Sequence, residues 1–420
     1  MKLWPDLTHF AGFDWASDHH DVVVVDKAGT VVLEFRFEQS GKGWQEFTSK
    51  TKEFPALGVA IETSSGAAVE RLVAGDYTVF PINPKKAKCY RERKAPSGVK
   101  SDRLDAWSQA DALRLDGHTW KALGPQDPLI LQLRTICRDE VSFIEQRTAL
   151  VNQLQAALHE YYPTALEAFD DWTRPSSWAF VEIFPTPKQL VEAGKREWEK
   201  FLHAHRLYSP KTAEARLVLF AKATEFSGSE PTTAAKSLLA VALVKVLKTV
   251  QAQLELYRAE IEILFAKHPD HDIFSSLPGP GLKVLPRLLG EIGSDRTRFD
   301  DAQGLQCYAG TAPVTIRSGK KSRTCIRRGC SDDLRASVHW LSDLSRHKSA
   351  WAAAYYDKKK EEGKSHAAAL RCLGHRWLKI LWKMWQTRTP YDAELHLRNQ
   401  TKHGSWVIQL LSEGAAAVAT

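Results

Sequence analysis

The sequence has no cysteine pair at a spacing that binds metal. Its six cysteines are spread over 420 residues without a Cys-x-x-Cys pair or a Cys/His ligand pattern. This excludes a zinc framework and favours free thiols in a reducing compartment. No apolar run approaches the length that spans a membrane, and the N-terminus shows no signal-peptide pattern. We therefore expect a soluble cytoplasmic protein with no membrane partner.

The chain does have a basic, tryptophan-rich composition. Its formal net charge is +8, 43% of its residues are hydrophobic, and 14 are tryptophan. A positive charge balance favours a polyanionic partner, and aromatic side chains can stack on bases as well as fill cores. The length indicates two or three domains with sizeable cores. Nucleic acid is the partner class that these features favour.

The first eighty residues alternate strand and helix signals. Four consecutive valines at residues 22–25 predict a buried strand, and a Gly-containing turn separates it from the next strand. Three strands, a helix, a strand, a helix and a strand follow one another, which is the order of an RNase H-like α/β domain. We predict strands at residues 9–16, 21–26, 31–37, 57–62 and 77–82, and helices at 41–52 and 64–74.

Four acidic residues are predicted to meet at one edge of this sheet. Asp14 lies in the first strand and Glu62 ends the fourth, and these strands are neighbours in that fold. Asp102 and Asp105 open a predicted helix, where positions i and i+3 share a face. Clustered carboxylates repel unless a cation lies between them, and Mg²⁺ prefers oxygen ligands. Two Mg²⁺ ions could activate an attacking oxygen and stabilise a leaving one.

The same acids also have an ordinary interpretation. Asp102 and Asp105 could be solvated residues that the helix macrodipole favours at a helix N-terminus. Asp14 and Glu62 could be carboxylates at a strand end and a helix start. The placement of all four on these elements favours the metal site. Three other acids are expected to be surface residues: Asp18, Asp21 and Asp111.

A basic segment separates the fifth strand from the acidic pair. Six of the twelve residues 83–94 are Lys or Arg, and we predict an exposed loop. Such a loop beside a metal site suits a nucleic-acid backbone, although a solvated run of charges is an equally good interpretation. The candidate nucleic-acid-binding residues are Lys85, Lys86, Lys88, Arg91 and Arg93.

The middle of the chain is predicted to be helical. Apolar residues recur at helical spacing over residues 131–161 and 236–267, and shorter helical patterns cover 188–206 and 210–226. Residues 170–187, rich in Pro, Trp and Phe, are interpreted as a linker. Two long helices that flank a helical insert suggest an antiparallel coiled coil. Pairing with a second copy of the chain is an equally open interpretation.

A Pro-Gly segment at residues 277–282 carries a second nucleic-acid signal. It precedes a predicted helix at residues 283–290, which is the helix-hairpin-helix pattern. Gly279 and Gly281 could present backbone N–H groups to a phosphate at the helix N-terminus. The alternative is a plain turn between two helices.

A serine lies among four cations farther along the chain. Ser318 precedes a glycine, which permits a sharp turn. Cations around it could hold a phosphodiester and stabilise the charge of its transition state, and the serine could attack phosphorus if a base takes its proton. On residue chemistry alone, a Ser-Gly turn in a basic loop remains the simpler interpretation. The four cations are Arg317, Lys320, Lys321 and Arg323.

The last part of the chain is predicted to be helical at residues 333–343, 350–362 and 365–386. Beyond Asp392 the sequence weakens to an Ala-rich tail, which we expect to be loosely ordered.

Taken together, these motifs resemble one family. The order Asp14, Glu62, Asp102-x-x-Asp105, a helical spacer, Pro-Gly-x-Gly, Tyr-Ala-Gly, Ser-Gly-Lys, Arg-Gly and Leu-Arg is similar to that of bacterial "one-ten" insertion-sequence transposases. These combine a RuvC-like DEDD domain with a C-terminal serine domain, and some are recombinases guided by a bridge RNA. The resemblance covers nearly the whole chain, from about residue 9 to residue 392.

The resemblance implies an α/β plus all-α architecture. Residues 1–124 would form an RNase H/RuvC-like domain, 125–270 a helical coiled-coil spacer, 271–392 a C-terminal helical transposase domain with the helix-hairpin-helix, and 393–420 a tail. Asp14, Glu62, Asp102 and Asp105 would bind Mg²⁺. Ser318 would form a covalent link to DNA, with Ser331 as the alternative nucleophile.

The resemblance also implies partners. Donor DNA, target DNA and a structured bridge RNA would bind, and serine and acids could come from different protomers of a dimer or tetramer in a bacterial nucleoid. Two other functions stay open. A RuvC-like Holliday-junction resolvase or nuclease would use the acids with water and need no serine. A nucleic-acid-binding scaffold with a dead site would be expected to have lost some of the acids.

Overall fold

The structure, a computed structural model, describes residues 2–124 and 127–411. The chain divides into two compact units. The sheet unit consists of Met1–Leu131, Asp272–Pro280 and Glu291–Thr420, and the helical unit of Gln132–His271 and Gly281–Gly290. The segments predicted as first and third domains thus lie mainly in one compact unit, while the four-part division stays a prediction.

A five-stranded mixed sheet forms the N-terminal part of the sheet unit. The strands lie in the order β3-β2-β1-β4-β5. Strand β1 pairs antiparallel with β2 and parallel with β4. The order of strands and helices along the chain is the predicted one, and Asp14 lies in the strand next to the one that Glu62 directly follows. The elements are β1 His9–Trp15, β2 His19–Asp26, β3 Val31–Glu38, α1 Gly41–Thr51, β4 Leu57–Ile61, α2 Ala67–Ala74 and β5 Thr78–Pro81.

The sheet is covered on both faces, because successive side chains of a strand point to opposite sides. Ala11 and Phe13 belong to the core that includes residues of α1 and α2. Phe10 and Ala60 belong to a second core, which includes residues of helix α4 (Asp102–Asp116). Even-numbered positions of β1 and β4 therefore face α4, and this alternation directs Asp14 and Glu62 towards that helix.

Gly12 allows α4 to lie directly on strand β1. A Cβ atom at this position would lie 1.8 Å from the carbonyl oxygen of Ala106 and 2.7 Å from the backbone nitrogen of Ala110. The side-chain amide of Gln109, oriented with its nitrogen towards the sheet, donates to the carbonyls of Phe13 and Ala60 at 3.2 Å. The close approach fixes the helix that carries the acidic pair against the two strands that carry the other acids.

Replacing Gly12 with alanine is expected to destabilise the protein by at least about 1–3 kcal/mol, the usual cost of overpacking a core. The clash is with backbone atoms, so helix α4 must shift. Chemical denaturation measures the loss. Gly41→Ala is the matched control, because a Cβ at Gly41 meets nothing within 4 Å. Equal stability of the two variants would contradict this packing.

The basic segment after β5 is a helix, and its prediction as a loop was wrong. Helix α3 spans Pro84–Lys94. The side chain of Asn83 accepts a hydrogen bond from the backbone N–H of Lys85 at 3.0 Å, and Pro84 occupies the first turn. Asparagine at the N-cap followed by proline is a helix-start signal, and the run of charges concealed it.

The helical unit contains the two long helices, α5 (Pro128–Tyr161) and α10 (Glu230–Lys267). Three pairs of side chains join them: Glu140–Arg258 at 2.9 Å, Arg147–Gln251 at 2.9 Å and Glu160–Lys236 at 2.6 Å. Residue numbers rise along α5 while those of the partners fall along α10, so the two helices are antiparallel. The buried carboxylate of Glu140 also contacts Arg287 at 2.7 Å.

The segment interpreted as a linker is part of a folded core. Helix α7 spans Pro175–Ile183, and Trp178 and Phe180 are fully buried. Proline is favoured at the first helical position, and the aromatic residues fill the core instead of marking a break. The insert between the long helices consists of α6 Pro163–Ala168, α7, α8 Pro187–Ala204 and α9 Pro210–Ala221.

The C-terminal part of the chain is helical apart from one hairpin, β6 (Val314–Ser318) with β7 (Lys321–Cys325). The tail was predicted to be loosely ordered, which is wrong for residues 393–402. These form a helix whose N-cap is Asp392. Residues 412–420, which complete the Ala-rich tail, lie outside the described residues. The helices are α11 His271–Ser275, α12 Leu285–Ile292, α13 Ala302–Tyr308, α14 Asp332–Ser345, α15 Ala350–Glu361, α16 His366–Thr387 and α17 Ala393–Lys402. Among the described helices, none is long and apolar enough to cross a membrane.

Candidate active site

The four predicted acids lie on three adjacent elements of the sheet unit. Asp14 is near the end of β1, Glu62 directly follows β4, and Asp102 and Asp105 are in the first turn of α4. Strands β1 and β4 are parallel, so their carboxyl ends share one edge of the sheet. Asp105 is buried, whereas the Asp102 side chain is half exposed. Geometry thus directs all four carboxylates to one region.

The acids influence one another electrostatically. Burial, together with the nearby carboxylates of Asp105, Asp102 and Glu62, raises the pKa of Asp14 to about 7. Burial and the charge of Asp105 also raise the pKa of Glu62, against the opposing effect of Arg91. A carboxylate with a raised pKa is one whose charge lacks compensation. A bound cation would supply that compensation.

Two arginines partly neutralise the cluster. Arg91 of α3 contacts Asp105 at 2.5 Å. Arg36 of β3 contacts Asp21 at 2.9 Å and Asp102 at 3.0 Å. Both arginines precede the acidic pair in sequence, and each contacts one member of it. Asp14 and Glu62 are left with less cationic compensation than Asp105 and Asp102.

Asp21 lies beside these acids and is mostly buried, so its prediction as a surface residue was wrong. It lies directly opposite Asp14 in the β1–β2 pairing, and its side chain is only 13% exposed. Among the described residues, one group of three possible ligands has its ligand atoms within 4.8 Å of one another: His19, Asp21 and Asp102. The cross-strand position of Asp21 could have identified it, because paired residues share a face.

Asp111 was also predicted at the surface but is buried. Its carboxylate contacts Arg114 at 2.6 Å and Arg93 at 3.2 Å, which makes it an ion-paired core residue of α4. Asp18, the third of these acids, is exposed as predicted, with 76% of its side chain accessible.

The donor set of this region fits a divalent cation. Oxygen donors predominate, and the neighbouring carboxylates add to the effect of burial in raising the pKa values of Asp14 and Glu62. Mg²⁺ binds through a few carboxylates and retains water and phosphate ligands. Asp14, Glu62, Asp102 and Asp105 are the residues that would hold it, with Asp21 adjacent.

The basic residues of α3 are more engaged than the sequence suggested. Arg91 and Arg93 contact Asp105 and Asp111, and Lys88 is 3.6 Å from Glu92. The Lys86 ammonium lies 4.6 Å from the ring centre of Trp120. Lys85 lines an open cavity together with Arg328 and Arg335, and it is the member of the set best placed for a phosphate.

Ser318 lies at the tip of an exposed two-stranded hairpin. It pairs across the strands with Lys321, and Ile316 pairs with Arg323. Paired residues share a face, and so do alternate residues of one strand. Lys321 and Arg323 therefore flank Ser318 on its own face. Gly319 has a φ of +55°, the left-handed conformation that a two-residue hairpin turn requires. Arg317, on the opposite face, pairs with Ser322.

Ser331, the alternative nucleophile, is the N-cap of α14. Its hydroxyl accepts a hydrogen bond from the backbone N–H of Leu334 at 3.2 Å and donates to Glu291 at 3.4 Å. These are the contacts of a capping residue. Ser318 is exposed, whereas the hydroxyl of Ser331 stabilises a helix end.

The two glycines of the Pro-Gly segment differ. Gly279 has a φ of +98°, and a Cβ there would lie 2.6 Å from the carbonyl oxygen of Leu344. Its conformation and close approach to α14 are structural requirements. Gly281 has open space around its α-carbon and precedes α12, so it is the member of the pair accessible to a phosphate.

The structure does not join the hairpin to the acids. Within the described residues, no hydrogen bond or ion pair connects Ser318 with Asp14, Glu62, Asp102 or Asp105. The two groups are separate features of the sheet unit.

Comparison with known proteins identifies the family. A family model described as "Transposase", of the DEDD type of IS110, matches residues 11–163. A second, described as "Transposase IS116/IS110/IS902 family", matches residues 271–357. The "Mini-circle putative transposase for IS117" of Streptomyces coelicolor is 34% identical over 405 residues, which cover 93% of this chain and 97% of the relative. The chain belongs to the IS110 family of transposases.

Other members of the IS110 family are more distant. The "Insertion element IS110 uncharacterized 43.6 kDa protein" of Streptomyces coelicolor is 26% identical over 305 residues, covering 71% of this chain and 74% of the relative. The "Insertion element IS116 uncharacterized 44.8 kDa protein" of Streptomyces clavuligerus is 23% identical over 382 residues, covering 89% and 94%.

Membership of the IS110 family establishes an insertion-sequence transposase, an enzyme with DNA as substrate. The DEDD type implies the use of a divalent metal. The first matched segment contains the four acids, and the second contains Gly279, Ser318 and Ser331.

Proposed function

We propose that this IS110-family transposase cuts and rejoins DNA through two cooperating groups, a Mg²⁺ site and a serine nucleophile. Asp14, Glu62, Asp102 and Asp105 hold the metal, and Ser318 forms the covalent link to DNA. The observation that supports the proposal is that burial and the charges of the other three carboxylates raise the pKa of Asp14 to about 7. The RuvC-like interpretation of the mixed sheet belongs to this proposal.

The bound metal would supply Lewis-acid stabilisation of charge on a phosphodiester. The chain's own residues do the rest. Lys321 and Arg323, on the face of the hairpin that carries Ser318, bind the non-bridging phosphate oxygens. They also stabilise the extra negative charge that develops there.

Ser318 carries out the covalent step. Its oxygen forms a bond to phosphorus while the bond from phosphorus to one deoxyribose oxygen breaks. The serine proton passes to a carboxylate of the acid cluster, which returns it to the leaving oxygen, so that this oxygen becomes a hydroxyl group. A second DNA hydroxyl reverses this exchange on a new strand and regenerates the serine. No net loss of a phosphodiester occurs, so no external energy source is needed.

In this proposal, oligomerisation brings Ser318 close to the four acids. Since no described contact joins them within one chain, the hairpin of one protomer would approach the acids of another in a dimer or tetramer. A structured bridge RNA would pair with donor and target DNA and select the sites. Lys85 and Gly281 are the accessible candidates for phosphate contacts outside the hairpin.

A junction resolvase or nuclease is the second candidate. The acids alone support it, because water can replace the serine. The exposure of Ser318, compared with the capped hydroxyl of Ser331, makes Ser318 the nucleophile of the serine mechanism that we propose.

Sequencing of nucleic acid that co-purifies with the protein tests the guided function. Expression beside the native flanking DNA should yield one discrete RNA from the element's non-coding end. Absence of RNA, with preferential binding to branched DNA, would favour the resolvase.

A further inference from the structure

A cavity of about 300 Å³ lies between α15, α16 and the tail helix α17, outside the candidate active site. Trp351, Tyr391 and His396 form an aromatic wall, with ring centres of Trp351 and His396 4.7 Å apart. Met384 and Val407 are buried at the cavity and add apolar surface. Ligand pockets usually measure about 300–1,000 Å³, so this one suits a single small ring system.

Polar groups in the cavity have unused hydrogen-bonding capacity. Within the described residues, Nε2 of His396 is buried and has no hydrogen-bond partner. Asn399 and Gln400 of the same helix also line the cavity, and a side-chain amide offers both donors and an acceptor. Buried polar groups are normally satisfied. The arrangement is therefore suited to a planar ligand with polar atoms on its edge.

A row of cations borders the cavity along α16. Arg376, Lys379 and Lys383 are spaced i, i+3 and i+7, which places them on one helix face, and all three line the cavity. None of the three forms an ion pair among the described residues. The one acid of the lining, Asp392, is engaged as the cap of α17, accepting from the N–H of Leu395 at 2.9 Å.

The same row extends towards the serine hairpin. Arg376 and Lys379 also line a second cavity, of about 710 Å³, together with Arg327. Arg327 follows strand β7 by two residues. A polyanion on α16 would therefore have a continuous basic route between the aromatic cavity and the base of the hairpin.

We propose that the cavity between α15, α16 and α17 binds the base of an unpaired nucleotide, whose flanking phosphates lie on Arg376, Lys379 and Lys383. The aromatic wall stacks on the base, since stacking on an aromatic ring accepts any base. His396, Asn399 and Gln400 contact its polar edge. An extruded or single-stranded nucleotide is required, because a paired base cannot leave its stack without cost.

This inference deepens the proposed function, but it rests only on nucleic-acid binding and not on the serine or metal chemistry. DNA and RNA share the ligand chemistry, so the nucleotide could come from an opened DNA strand or from a guide RNA. The tail helix, which the sequence suggested would be loosely ordered, supplies one wall of the site.

Titration of the full-length protein into short oligonucleotides with one central 2-aminopurine tests the proposal. Four probes are needed: single-stranded DNA, single-stranded RNA and the corresponding duplexes. Stacking quenches 2-aminopurine, so entry of the base should give saturable quenching with a single strand and little with a duplex. The stronger of the two single-stranded signals identifies the source of the nucleotide.

Two tryptophan substitutions on α17 make a matched pair. Leu395 lines the cavity and is 48% exposed, whereas Leu397 is 36% exposed and does not line it. Leu395→Trp should fill the entrance and weaken the quenching-detected affinity at least tenfold. Leu397→Trp adds the same side chain elsewhere and should leave that affinity within about twofold of the wild type. Thermal unfolding of both variants checks the fold.

The basic row has its own readout. Lys379→Ala/Lys383→Ala should lower the slope of log affinity against log salt concentration by about 0.7 for each phosphate of a single strand that the variant no longer neutralises. Lys402→Ala, at the far end of α17, should not change this slope.

Unchanged quenching in a folded Leu395→Trp variant would overturn the proposal. The proposal would also be overturned if this variant released an apolar dye but still bound the oligonucleotide fully, because the cavity would then serve an apolar partner. Wild-type strand transfer alongside either result would leave the serine and metal proposal intact.

Discussion

Replacing Ser318 with alanine is expected to reduce covalent protein–DNA adducts and strand joining by at least ~10³-fold, the scale on which removal of a nucleophile acts. DNA binding should stay within about twofold of the wild type, because Lys321 and Arg323 remain. The side chain is exposed at a hairpin tip, so the fold should not change. Denaturing gels of the protein with labelled DNA would measure the adduct.

Two other serines serve as controls. Ser322→Ala alters the neighbouring strand, but that residue pairs with Arg317 on the opposite face, so adduct formation should persist. Ser331→Ala removes the cap of α14 and should cost about 1 kcal/mol of stability without abolishing the adduct. If Ser331→Ala eliminates the adduct in a folded protein while Ser318→Ala retains it, the roles are reversed. Full joining in both variants would leave the water-dependent resolvase.

The Asp102→Asn/Asp105→Asn variant should lose metal-dependent strand cleavage to the same extent while still binding DNA. Asparagine preserves the side-chain shape and lets Arg91 keep a hydrogen-bond partner in place of Asp105, so the core should survive. Asp26, the last residue of strand β2, provides the control. It pairs with His9 at the other end of β1, and Asp26→Asn should retain activity.

Metal binding gives a readout that does not depend on activity. Addition of Mg²⁺ should raise the thermal unfolding temperature of the wild type and of Asp26→Asn, but not that of the double variant, because ligand binding to the folded state stabilises it. The pKa of Asp14 in the folded state, about 7, lies above its ordinary value of 3.8. Its contribution to stability therefore falls as pH rises from about 4 to 7, and Mg²⁺ competes with the proton.

The Mg²⁺-induced rise should consequently be larger at pH 8 than at pH 5.5. Equal Mg²⁺ stabilisation in the wild type and the double variant would refute the assignment of Asp102 and Asp105 as ligands. The ion would then have to bind elsewhere, because Asp102 also belongs to the group of possible ligands that includes His19 and Asp21.

The strands of the sheet were predictable because residues close together in the sequence specify them. Consecutive valines, polar turns and alternating faces specify the strands of residues 9–81, and the strand order follows from the order of elements. The position of α4 could not be predicted from the hydrophobic pattern, because it depends on the absence of a side chain at Gly12. Asp21 was missed because it becomes part of the site only through its cross-strand position opposite Asp14.

Other errors came from reading composition in place of helix signals. Helix α3 was predicted as a loop because of its charges, and α7 as a linker because of its prolines. Both helices have Pro in the first turn, where proline is a helix-start signal. The tail helix α17 is held by contacts that no local pattern specifies. One is the packing of His396 on Trp351, a residue far back in the chain. The function proposed for Ser318 likewise depends on which groups would approach it in the proposed oligomer.

The interruption of the sheet unit by the helical unit has a consequence for synthesis in the cell. A ribosome makes the segment with Asp14, Glu62, Asp102 and Asp105 first, then the helical unit, and the hairpin with Ser318 only afterwards. A chain that stops within the helical unit would carry the acids without Ser318. Under the proposed mechanism, such prematurely terminated products could hold a cation or occupy a partner but could not form the covalent link to DNA.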